Sequence, residues 1–175
     1  SGGIRALIEY ANRLNDMGHC VRVFVPDKKP KWYHPVQKWE TRKNGLTILP
    51  SNTIDWMNNS LPIEVFPETD TSYIPEADII VASAWQTAEL VAKTLPNKGK
   101  PFYFVQHYES LWARDKNRAV KTYDLPLQKL TISTWLKDIL QEKHKQAAEV
   151  LVTPVDHEIF FCDANLCSIL NRLIS

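Results

Sequence analysis

His107 and Glu109, set two residues apart in Gln106-His107-Tyr108-Glu109, are the side chains of this sequence best suited to moving a proton. An imidazole donates, accepts or shuttles a proton near neutral pH. A carboxylate acts as a base or hydrogen-bonds a sugar hydroxyl. Tyr108 between them, and Trp112 three residues beyond Glu109, add flat apolar faces with a polar tip, suited to the C–H face of a carbohydrate. The same residues admit a structural reading, in which His107 is a satisfied histidine at a strand end and Glu109 caps a helix. Taken alone, the cluster leaves both readings open.

The run that must position this cluster comes immediately before it. Phe102-Tyr103-Phe104-Val105, introduced by Pro101, is continuously apolar and predicts a strand buried on both faces, as in a parallel sheet. His107 and Glu109 then fall at its carboxyl end, where open α/β sheets bind ligands. Three other points have the same setting. Gly2-Gly3 precede Ile4, Leu7, Ile8, Ala11 and Leu14, apolar at helical spacing, with Gly18 at the expected C-terminal cap. Paired glycines there let backbone N–H groups approach an anionic or hydroxylated ligand, although a plain tight turn is the commoner reading. Trp85-Gln86 follow a buried strand predicted over 78–82 and open a helix that runs to Leu95. Ser133-Thr134, good N-cap residues, follow a short strand over 130–132 and open a helix from about Trp135 to Gln146. In a parallel sheet such points share one rim, so these residues are expected together.

The remaining elements fit the same architecture. A strand is predicted over 20–25 and stopped by Pro26, a surface-lying helix over 114–123, and a last strand over 150–152 ended by Thr153-Pro154. Strands alternating with helices predict an α/β fold, a Rossmann-like parallel sheet with helices on both faces. The opening helix, glycine and strand form the second half of a βαβ unit, so the first strand is expected to be missing from this sequence. Residues 27–77 are the least regular, with short strands over 46–49 and 63–66. Trp32, Tyr33, Trp39 and Trp56 there read as aromatic anchors of loops rather than a binding strip.

Composition excludes several classes. The 175 residues are 44% hydrophobic and 23% charged, enough for one domain with a real core. A net charge of +1 gives no electrostatic case for nucleic acid. Lys28-Lys29-Pro30-Lys31 reads as a solvated basic loop. Cys20, Cys162 and Cys167 are odd in number and lack CxxC spacing, which favours a reducing compartment over a disulfide framework and suggests no zinc site. No run is long enough to span a bilayer and none reads as a signal peptide, so the expected location is cytoplasmic. No metal or organic cofactor is expected.

The residues also resemble a family. Gly2-Gly3 with its helix, then YFVQHYESLW, TYDLPLQKLTISTWLKDIL and VLVTPVDHEIFF, is similar to the amino-terminal domain of GT-B, family-4-type glycosyltransferases, with rhamnosyltransferase-like bacterial members the nearest in kind. The resemblance covers residues 2–161. Residues 155–160 are similar to the segment that closes this domain, with Thr153-Pro154 standing where the family has Asn-Gly.

What the resemblance implies is an acceptor-side domain at 1–161, and a tail at 162–175 whose Leu166, Ile169, Leu170, Leu173 and Ile174 share a helical face that packs back on the domain. The nucleotide-sugar donor, such as dTDP-rhamnose, binds a second domain carrying a Glu-x7-Glu motif in such enzymes. The tail is too short for that domain, so this chain alone is expected to be inactive. Glu68 and Glu76 have the spacing by chance, and Glu68-Thr69-Asp70 is a poor metal-binding pair. In this reading His107 and Glu109 are the catalytic candidates. Gly2, Gly3, Ser133 and Thr134 donate to substrate, and Trp85, Tyr108 and Trp112 wall the cleft. The acceptor is a glycan or a lipid-linked glycan, with peripheral membrane contact left open, and retention of anomeric configuration is implied. Two alternatives stand beside it: a non-catalytic Rossmann-like binding or regulatory module, and a subunit recruiting a donor domain from another chain.

Overall fold

Alternation along the strand around Tyr103 organises the fold. The computed structural model describes residues 2–27, 41–43, 46–49, 60–67, 70–94 and 96–153. Within them β5 (Ile79–Ala82), β6 (Lys100–Val105), β7 (Gln128–Thr131) and β8 (Ala148–Val150) form an all-parallel sheet in that spatial order. The connections are α2 (Trp85–Val91), α3 (Lys116–Thr122) and α4 (Thr134–His144). Parallel crossovers are right-handed, and these strands step in one direction, so the three helices belong on one face. Tyr103 and Val105 accordingly pack with Ala88 and Val91 of α2, Tyr123 after α3, and Leu136 and Leu140 of α4. Phe104 points the other way and meets Tyr10 of α1 (Gly2–Asp16) edge-on, with ring centroids 5.8 Å apart. The fold is therefore α/β and Rossmann-like, with helices on both faces of the parallel sheet.

A second sheet has the order β1-β4-β3-β2, built from β1 (Val23–Asp27), β2 (Thr41–Lys43), β3 (Leu46–Leu49) and β4 (Ile63–Pro67). β1 runs parallel to β4, and β2, β3 and β4 pair antiparallel. Arg22 grips Glu64 of β4 through a forked pair, with its Nε 2.7 Å from Oε1. The α1 helix ties to this side through Asn12, whose side-chain oxygen accepts from the backbone and hydroxyl of Ser60. It ties to the parallel sheet through the Tyr10 hydroxyl, which donates to the Val152 carbonyl.

Several boundaries differ from expectation, each for a local reason. Pro26 does not stop the first strand: it pairs with Phe66 inside β1, which a strand at a sheet edge tolerates. β2 lies where the sequence reads as loop. β5 is not buried on both faces. It is the edge of its sheet, and Ile79 and Val81 are 57% and 47% exposed. α2 ends at Val91 rather than Leu95, its last turn tightened by bonds from Lys93 N–H to Leu90 O and from Thr94 N–H to Val91 O ahead of Pro96. Gly99, at φ +111°, follows in a position where a Cβ would lie 2.9 Å from the Ala77 carbonyl oxygen. α3 is shorter than predicted and lies on the surface as expected, with Lys116, Asn117, Arg118 and Lys121 exposed and only Ala119 and Thr122 buried. α4 closes at Lys145 in the left-handed region, φ +56°, which starts β8 at Ala148, two residues early. The apolar Val150-Leu151-Val152 run thus lies mostly past the strand. Lys28–Lys31, Trp32, Tyr33, Trp39, Trp56, Glu68, Cys162, Cys167 and the tail over 162–175 lie outside the described residues.

Candidate functional site at the carboxyl rim of the parallel sheet

β6 delivers Gln106 and His107 at its carboxyl end, and the chain then tightens into a 3-10 turn over Glu109–Leu111. β5, next to it, ends at Ala82 and leads into α2, whose first residue is Trp85. The Ala84 side chain cannot cap that helix. Its first turn is served instead by Thr87 Oγ1, which accepts from Ala84 N–H at 3.0 Å, and by Glu109 Oε2, which accepts from Trp85 N–H at 2.7 Å. Glu109 therefore does cap a helix, as the structural reading of the sequence held. Its Oε2 also accepts from the Tyr103 hydroxyl at 2.7 Å. Among the described residues Oε1 takes no protein donor.

Trp85, His107, Glu109 and Trp112 line one open cleft of about 810 Å³, together with Gln86, Ala113, Arg114 and Asp115. Trp112 is 82% exposed. Trp85 is braced from outside: the Arg118 guanidinium lies 5.4 Å from its ring centroid and is forked onto Glu89 at 2.7 and 2.6 Å. Burial pushes the Glu109 carboxyl above the usual carboxylate range, against the opposing pulls of the Tyr103 hydroxyl, the Trp85 N–H and the nearby His107. Burial, reinforced by the Glu109 charge, pushes the Tyr103 phenol well up, so it stays a donor at any ordinary pH. Among the described residues no three His, Cys, Asp or Glu side chains gather as metal ligands. No described helix is long and apolar enough to cross a membrane.

The other expected site residues sit elsewhere on the rim. Tyr108 does not wall the cleft. Its ring stacks on Tyr123 at 5.2 Å and its hydroxyl lies 3.2 Å from His144 Nε2, toward α4. Ser133 Oγ caps α4 by accepting from Leu136 N–H, and Thr134 is exposed in the first turn; neither lines the cleft. Gly2 and Gly3 lie inside α1 rather than in a loop ahead of it. Gly3 does reach the rim, since a Cβ there would stand 3.1 Å from the Gln106 side-chain oxygen. Arg114 and Asp115 join the cleft from the loop beyond the 3-10 turn, where no strand or helix period marks them. No protein-family model, curated protein or solved structure matches this chain.

Proposed function

We propose that this chain is the acceptor-side domain of a glycosyltransferase of the GT-B kind, and that the cleft bounded by Trp85 and Trp112 holds a sugar of the acceptor. The observation that carries the reading is the pairing of an exposed indole with a partly buried, hydrogen-bonded carboxyl. Trp112 is largely exposed and lines the same cleft as His107 and Glu109. A pyranose offers that combination its two complements, an apolar C–H face and a fringe of hydroxyls. Glu109, with one oxygen held by Trp85 N–H and Tyr103, presents the other to a hydroxyl, and His107 takes or gives the proton. Glycan or lipid-linked glycan is the acceptor in this reading, with rhamnose the sugar suggested for transfer and the cytoplasm, where nucleotide sugars are available, the location.

Nucleotide-sugar binding belongs to a second domain in this reading, so calorimetry separates it from its rival. Candidate acceptor oligosaccharides are expected to bind the chain, with dTDP- and UDP-sugars giving no measurable heat. Micromolar affinity for a nucleotide sugar without glycan binding would instead favour a self-contained binding or regulatory module.

A further inference from the structure

Behind the cleft, a second cluster joins three elements that the proposed function leaves unused. Its centre is His144 in the last turn of α4, with a side chain only 5% exposed. A histidine there ordinarily sits in water, where its charge complements the helix dipole. This one is enclosed between two partners. Nδ1 lies 3.0 Å from Asp124 Oδ1, just past α3, and Nε2 lies 3.2 Å from the Tyr108 hydroxyl oxygen in the cleft turn. A carboxylate only accepts, so Nδ1 carries the hydrogen facing Asp124, and in the neutral ring Nε2 accepts from Tyr108. Both ring nitrogens are thereby satisfied, as burial of an imidazole requires.

The cluster reaches Glu109 by two routes. One is the backbone from Tyr108 itself. The other runs through Tyr123, whose ring stacks on Tyr108 with planes 11° apart and meets the His144 ring at 5.0 Å. The Tyr123 hydroxyl accepts from Glu109 N–H at 2.7 Å. Stacking alone fixes the distance between rings but lets them slide, whereas a hydrogen bond at the rim of the stack sets the register.

We infer that Asp124 and His144 are positioning residues for the cleft. Asp124 orients the His144 ring, His144 holds Tyr108 in register on Tyr123, and the turn His107–Glu109 is thereby kept in the one backbone path that leaves Glu109 over α2. Neither residue touches a ligand. The inference takes from the proposed function only that this cleft is the working site.

Hydrogen exchange and glycan calorimetry on the same preparations test it. His144→Phe keeps a ring against Tyr123, and Tyr108→Phe keeps the stack; each removes the bond between them. Each is expected to speed exchange at the Glu109, Leu111 and Trp112 amides by on the order of tenfold. The double variant is expected to be no faster than either single one, because both changes delete one interaction. Asp124→Asn, which still accepts from Nδ1–H, is expected to stay near the parent, and Asp124→Ala to follow His144→Phe. The β7 amides of Leu130 and Thr131 serve as the internal reference and are expected to hold. Glycan affinity is expected to fall in each variant whose turn loosens. Unchanged turn amides in His144→Phe, multiplying effects in the double variant, or equal acceleration in β7 would each overturn the inference. So would a loosened turn with undiminished glycan affinity. If the parent itself binds no glycan, the proposed function fails, and the exchange pattern alone still decides whether the turn is held this way.

Discussion

One oxygen of Glu109 takes hydrogen bonds from the Trp85 N–H and the Tyr103 hydroxyl, while among the described residues the other takes none. Burial raises the pKa of this carboxyl, so the folded protein holds its proton to higher pH than the unfolded chain, in which glutamate titrates at about 4.3. The sign follows from linkage. Glu109 contributes its full share of stability below the unfolded pKa, and that share is lost as pH rises through the folded one. Glu109→Gln keeps an acceptor for both donors and removes the titration. Its melting midpoint relative to the parent is therefore expected to improve as pH rises from 4 toward 7. A parallel course of the two midpoints across that range would show that burial of this carboxyl costs nothing. At this scale the sequence set Trp85, His107 and Glu109 within four residues of a strand's end and Trp112 seven beyond one, and the four do line one cleft. It misplaced Tyr108, because neighbours in a turn point in different directions and no period says which. It was silent on His144, whose partners lie 20 and 36 positions away.

At the scale of elements, helix starts at the rim do different work. α2 has only its own Thr87 reaching back to the Ala84 N–H, and for the Trp85 N–H it borrows Glu109 from the next strand's turn, which binds the cleft wall to the sheet. α4 begins with Ser133, whose Oγ accepts from Leu136 N–H within the same helix. Ser133→Ala is expected to cost about 1 kcal/mol of stability and to leave glycan affinity unchanged. A denaturation midpoint and one binding isotherm on that variant check both halves. Loss of affinity at unchanged stability would return Ser133 to the site. The sequence marked both helix starts correctly but could not tell a hydroxyl committed to its own helix from one offered to a ligand. Element ends were harder to read. Lys145 in the left-handed conformation, without a glycine, ended α4 early and pulled β8 toward the buried Ala148.

Across the whole molecule, the parallel order of β5 to β8 brings the loops after β5, β6 and β7 side by side, and the cleft forms where the first two of them meet. This much followed from the strand–helix alternation. Which strand would lie at an edge did not: Ile79-Ile80-Val81-Ala82 is as apolar as an interior strand, yet Ile79 and Val81 stand open on the α1 side of β5. A four-residue run records what a strand is able to pack against, and pairing order is decided elsewhere in the chain. The most direct test measures glycan affinity and melting midpoint together on His107→Ala and Trp112→Ala. Both side chains line the cleft and lie outside the buried core. Stability is expected to change by no more than about 0.5 kcal/mol, while affinity falls by roughly tenfold or more, as loss of one well-placed aromatic or hydrogen-bonding contact implies. Undiminished glycan affinity in both variants, or a lowered midpoint with affinity intact, would contradict a sugar site at this rim.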